Sequence, residues 1–179
     1  MFMGCTGLTK LDLPSEEQGH YFGTYANNFT ECFYRCSSLQ TLTLNGDFGK
    51  YATDLTGMFV MCSSLYSIDI GSGFGSAATR CISLFDSCES LLNIKFNPNF
   101  CQNATDISHM FYCCLKLTQI DFGTNPKIGQ SVRFCNCMFQ GCYNLRTIDL
   151  SSFVVNEDVS CGDMLNNCGS LESFRISDS

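Results

Sequence analysis

The chain has 179 residues, 45% of them hydrophobic, enough for a single domain over 1–179 with a packed core. A net charge of −7 with only 10 Lys+Arg argues against nucleic acid as a partner, since that needs clustered basic residues. No run approaches the ~18 apolar residues of a spanning helix, and no basic region followed by an apolar stretch marks a signal peptide.

The first element opens at Met1-Phe2 and runs through Cys5, Leu8, Leu11 and Leu13. That pattern then returns six times. Its cysteine recurs as Cys36, Cys62, Cys88, Cys114, Cys142 and Cys168, at intervals of 31, 26, 26, 26, 28 and 26 residues. A leucine follows each cysteine by three residues, and a phenylalanine precedes each by three, except that Leu165 takes the slot in the last repeat. A fixed period of this size is the mark of a solenoid.

With the repeat cysteine at position zero, the second element starts at Asn27-Asn28 and continues through Phe29, Cys32, Phe33 and Cys36. The third starts at Thr53-Asp54 and carries Leu55, Met58, Phe59 and Cys62. The fourth carries Cys81, Leu84, Phe85 and Cys88. The fifth starts at Thr105-Asp106 and carries Ile107, Met110, Phe111 and Cys114. Cys135, Met138, Phe139 and Cys142 form the sixth, and Cys161, Met164, Leu165 and Cys168 the seventh. Apolar residues at −7, −4, −3 and 0 define one face of a helix. The short polar residues before them are good N-caps. After each cysteine the period becomes two: Leu42 and Leu44, Ile68 and Ile70, Ile94 and Phe96, Ile120 and Phe122, Ile148 and Leu150, Phe174 and Ile176. Alternation of this kind predicts a short strand with one buried face. Turn residues follow, as in Asn45-Gly46, Gly71-Ser72-Gly73 and Asn97-Pro98-Asn99, and Phe48, Phe74, Phe100 and Phe153 then return to the interior.

The expected fold is an α/β solenoid of about seven repeats of ~26 residues. Its strands pair into one parallel sheet. Strands stack about 4.8 Å apart and helices about 8–10 Å apart, so the short helices take the longer, convex side and the sheet lines the concave face. Leu39-x-x-Leu42-x-Leu44, Met58-Phe59-x-x-Cys62-Ser63-Ser64-Leu65-x-Ser67-Ile68-Asp69-Ile70 and Met138-Phe139-x-x-Cys142-x-x-Leu145-x-Thr147-Ile148-Asp149-Leu150 together resemble the BspA-like leucine-rich repeat family, over essentially the whole chain. The resemblance implies a right-handed solenoid, usually of a surface or secreted microbial protein that engages host or matrix partners, with no catalytic residues to carry over.

Fourteen cysteines allow three readings. Seven lie in the position-zero column, and Cys81, Cys135 and Cys161 lie in the −7 column. Both columns face inward, which favours buried structural thiols. Regular bridging between neighbouring repeats is disfavoured by the dihedral that a disulfide needs. Metal is disfavoured because Cys113-Cys114 and Cys135-x-Cys137 lack zinc spacing, and only His20 and His109 supply imidazoles. No cofactor is expected. Free thiols would favour a reducing compartment, whereas the family and the sequons Asn28-Phe29-Thr30 and Asn103-Ala104-Thr105 point outside the cell, so localisation stays open.

No Ser/His/Asp or Cys/His arrangement is evident, and His109 reads as a surface residue, so an enzyme is not expected and no catalytic residue is assigned. The expected function is recognition of a protein partner by the exposed strand positions of the concave face: Tyr66, Asp69, Leu92, Lys95, Asp121, Arg146 and Asp149. Asp121 and Asp149 come from adjacent repeats, where neighbouring like charges cost stability that a cation or basic partner would offset. A second candidate is the insertion Ser15–Tyr25, whose His20, Tyr21, Phe22 and Tyr25 either bind or cover the core. Neither end carries an evident polar cap, so the alternative is a structural subunit that stacks through its ends on copies or neighbouring subunits of an assembly.

Overall fold

A computed structural model of the chain describes residues 1–13, 22–44, 46–123, 130–151, 153 and 158–176. Among the described residues the alternating segments form seven strands, one per repeat: β1 (Lys10–Asp12), β2 (Thr41–Thr43), β3 (Ser67–Asp69), β4 (Asn93–Lys95), β5 (Gln119–Asp121), β6 (Thr147–Leu150) and β7 (Ser173–Ile176). Pairing is parallel and in register with the repeat. Leu11 sits opposite Leu42 and Leu42 opposite Ile68, Ile94 opposite Ile120, and Ile148 opposite Phe174. The molecule is a parallel solenoid, as the period requires.

Two expectations need correction. The first is the helix. Among the described residues, the segments at −7 to 0 are tandem β-turns. In the second repeat, Cys32 N donates to Phe29 O at 3.0 Å with Glu31 at φ 53°, and Cys36 N donates to Phe33 O at 3.1 Å with Arg35 at φ 57°. Positive φ at the third residue of a four-residue turn is the type II geometry. It recurs at −5 and −1 in every later repeat: Gly57 and Met61, Ser83 and Ser87, His109 and Cys113, Cys137 and Gly141, Asp163 and Asn167. A left-handed residue every fourth position rules out an α-helical ladder. The alternate N–H groups instead reach the next coil, as Phe33 N to Met58 O (2.8 Å) and Arg35 N to Val60 O (2.8 Å). Two four-residue turns have a period of four. Over eight residues this departs from the helical 3.6 by less than about one residue. The inward stripe was therefore readable and its backbone was not.

The second correction concerns the sheet, which among the described residues is three ladders, β1-β2-β3, β4-β5 and β6-β7. Strands of three or four residues offer few rungs, and stacking across the break between β3 and β4 is carried by the turn wall, where Phe59 N donates to Leu84 O at 3.0 Å and Met61 N to Asp86 O at 2.9 Å. The absent helices also remove the reason for curvature. The repeat phenylalanines on the turn side stack with ring centroids 5.0, 5.4, 5.1, 5.6 and 5.8 Å apart from Phe2 to Phe139. Those separations are close to the ~4.8 Å of strands and well short of the ~8–10 Å that packed helices would impose.

The core lies between these walls. Phe33, Phe59, Phe85, Phe111 and Phe139 are fully buried, and Phe48, Phe74 and Phe100 fill the loop side. Each of the last three packs over a preceding coil: a Cβ on Gly75, itself at φ +69°, would stand 2.8 Å from the Phe100 ring.

Candidate binding surface

The strand-bearing face is built by alternation. In β2, β4 and β6 the central isoleucine or leucine is buried, and its neighbours face solvent. Tyr66, just before β3, is 44% exposed and Leu92, at the same position before β4, is 43% exposed. Asp69, Lys95, Arg146 and Asp149 are exposed, and Asp121 is half-buried. All seven predicted residues therefore stand on one wall.

Four of their five charges are compensated within the chain. Lys95 Nζ lies 3.6 Å from Asp121 Oδ2, Arg175 Nη1 lies 4.0 Å from Asp149 Oδ2, and Arg146 Nη1 lies 3.8 Å from Glu172 Oε1. In the first coil Lys10 Nζ lies 2.8 Å from Asp12 Oδ2; their hydrogen bond raises the lysine pKa and lowers that of the aspartate. The Asp149 carboxyl is held below its usual range first by hydrogen bonds from Ser151, whose N donates to Oδ1 at 2.9 Å, and less by Arg175. Asp121 and Asp149 thus each have a cation on the neighbouring coil. Reading the +7 column across coils, rather than counting its aspartates, pairs them in the sequence itself. Asp69 makes no ion pair among the described residues.

Part of the insertion, 15–21, lies outside the described residues. Phe22 stacks on buried Phe48 at 6.3 Å and so helps to cover the core. Tyr25 is 80% exposed and stacks on Tyr51 at 5.8 Å, a pair that sequence reading missed although both residues stand eleven positions before a repeat cysteine. His109 contacts Tyr112 edge-on at 5.4 Å. The polar residues taken for N-caps cap turns instead: Asn28 Oδ1, Asp54 Oδ1 and Asp106 Oδ1 accept from Thr30 N, Thr56 N and Ser108 N at 2.7, 2.9 and 2.9 Å.

Behind this face runs a thiol ladder. Cys36, Cys62, Cys88, Cys114, Cys142 and Cys168 each donate their S–H to the repeat phenylalanine carbonyl of the preceding coil, at 3.0 to 3.2 Å. Burial pushes the Cys62 and Cys142 thiols up to about 12, and Cys88 and Cys114 well above their ordinary value. One disulfide is present, Cys81–Cys101, within a single coil, and the remaining cysteines are free thiols. Cys101 follows Phe100 where glycine follows Phe48 and Phe74, and it keeps the glycine-like φ of 47°.

Among the described residues no helix is long and apolar enough to cross a membrane, and no group of three or more His, Cys, Asp or Glu is placed to hold a metal. The BspA type leucine-rich repeat region matches residues 1–83 and 81–179, in six copies. No curated protein matches the sequence. Among solved structures, a leucine-rich cell surface protein from Faecalibacterium prausnitzii A2-165 superposes with a TM-score of 0.56 at 18% identity, over 96% of this chain and 44% of that one. The present chain thus spans less than half the length of that neighbour. A leucine-rich repeat protein of T. pallidum is 16% identical over 77% of this chain and 78% of its own, with a TM-score of 0.38. The family match covers the full repeat array, and the chain belongs to the BspA-type leucine-rich repeat family.

Proposed function

We propose that the chain is a non-enzymatic recognition module that binds a protein partner on its strand-bearing face, in a protein displayed on or secreted from the cell. The observation that carries this reading is the pair Tyr66 and Leu92. They occupy one column of adjacent coils, each more than two-fifths exposed, and the rest of that column is Thr9, Gln40, Thr118, Arg146 and Glu172, all exposed. An aromatic and an aliphatic anchor on the same face as Asp69, Lys95, Asp121, Arg146 and Asp149 have the composition of a binding hot spot with polar surroundings. Family membership and the likeness to a cell surface protein support the reading at the level of fold.

The test uses a partner recovered on the immobilised chain. Tyr66→Ala with Leu92→Ala should weaken binding at least ~30-fold, a loss of about 2 kcal/mol. Replacing Asp69, Asp121 and Asp149 with asparagine should weaken it further while the melting temperature holds, because exposed ion pairs contribute little to stability. Unchanged affinity in both variants would remove this face from the reading.

A further inference from the structure

The −7 column ends in Cys135 and Cys161, which line an apolar hollow of about 200 Å³ together with Met138, Met164 and Phe174. We propose that Cys135 and Cys161 form an oxidation site, a thiol pair that closes into a coil-to-coil disulfide when it meets a small-molecule disulfide such as oxidised glutathione.

Register places the two side by side. Phe134 pairs with Ser160 in a parallel bridge, so the next residues, Cys135 and Cys161, occupy adjacent rungs. Rungs about 4.8 Å apart fall inside the ~4.4–6.8 Å Cα separation that a disulfide spans. The Cys135 N–H donates to Ser160 O at 2.8 Å and its thiol lies 3.4 Å from the same oxygen, against the peptide that leads into Cys161. The hollow gives both side chains an open side on which to turn. Access is divided as exchange requires: Cys161 is exposed and Cys135 is buried. The same column already holds a disulfide-bonded cysteine, Cys81. The Cys135 S–H donates to Ser160 O at 3.4 Å, a longer bond than the 3.0 to 3.2 Å by which the ladder thiols are held to the phenylalanine carbonyls.

The chemistry is thiol–disulfide exchange. The Cys161 thiolate attacks one sulfur of oxidised glutathione. That S–S bond breaks, one glutathione leaves and takes up a proton, and Cys161 becomes a mixed disulfide. Cys135 then gives its proton to solvent, attacks the Cys161 sulfur and expels the second glutathione. Two protein thiols are oxidised and one glutathione disulfide is reduced to two thiols. Burial, with Cys161 and Asp106 nearby, pushes the Cys135 thiol up to about 11, which makes the second step the slow one at neutral pH. The product ties the seventh coil, whose Met164, Leu165 and Leu171 are only half-buried, to the sixth.

The full native chain is incubated with oxidised glutathione, its remaining thiols are blocked with N-ethylmaleimide, and peptides are sequenced by tandem mass spectrometry. A Cys135–Cys161 cross-link in most molecules is expected, with reversal by dithiothreitol. Cys161→Ser should abolish the link and Cys137→Ser should keep it, both with the wild-type melting temperature measured under reducing conditions. Recovery of Cys161 only as a glutathione adduct, as the maleimide adduct, or joined to Cys137 or Cys168 would overturn the proposal.

Discussion

A buried thiol at every twenty-sixth position or so answers a hydrogen-bonding need that alanine or valine would leave unmet. The phenylalanine carbonyl of each coil already accepts the turn N–H, as Phe59 O does from Cys62 N at 3.1 Å. Its second lone pair receives the S–H of the next coil, from Cys88 Sγ at 3.2 Å. Protonation is therefore part of the fold, and its pH dependence has a definite sign. Burial raises Cys62 and Cys142 from the ordinary 9.0 to about 12, and Cys88 and Cys114 are raised as well. Above pH 9 the unfolded chain has released protons that the native chain still holds. The stability these thiols contribute is complete below pH 9 and is lost as pH climbs toward 12. Urea midpoints should fall from about pH 8.5 to about pH 10.5. Cys88→Ala, itself about 1–2 kcal/mol less stable, should fall less steeply, by up to about 1.4 kcal/mol per pH unit for the thiol removed. Equal slopes in the two proteins would show that Cys88 ionises as readily in the fold as out of it.

The turn wall carries its own strain. Each repeat from the second on holds two turn residues in the left-handed region, and outside glycine this costs about 1–2 kcal/mol per residue. Met61 sits there at φ 59° and is 41% exposed, so its side chain contributes little packing. Met61→Gly should stabilise the protein by about 0.5–1 kcal/mol in a denaturant titration. Gly75→Ala should destabilise it by more than about 2 kcal/mol, since the new Cβ meets the fully buried Phe100 ring in addition to the backbone strain. A neutral Gly75→Ala would mean that the Phe100 stack is loose. These positions also show where sequence reading reached and where it stopped. Repeat number, strand positions and inward columns were legible because burial leaves a period, and Tyr66 and Leu92 were legible as outward residues between inward ones. The turn backbone was not, because Glu31, Arg35, Met61, His109 and Cys113 have side chains that give no hint of positive φ. Nor was the Cys81–Cys101 bridge, which crosses a coil rather than following a column.

At the scale of the molecule, each coil touches only its neighbours, so stability is a sum of coil terms and nearest-neighbour interfaces. The interfaces differ in kind. The turn wall and the phenylalanine stack continue between β3 and β4, where the strand ladder breaks. Phe85 lies just beyond that break, fully buried, with its ring 5.1 Å from Phe59 and 5.6 Å from Phe111. Phe85→Ala removes both stacking contacts where backbone pairing on the opposite wall is already missing. A loss of about 3–5 kcal/mol is expected. Because coupling is local, that loss should divide the array rather than melt it uniformly. Amide exchange in Thr41–Thr43, which pairs with β1 and β3 on the near side of the break, should quicken less than exchange in Asn93–Lys95, whose coil contains Phe85. Phe33→Ala should reverse that order. Identical acceleration in both strands, in either variant, would mean that the seven coils open as one cooperative unit.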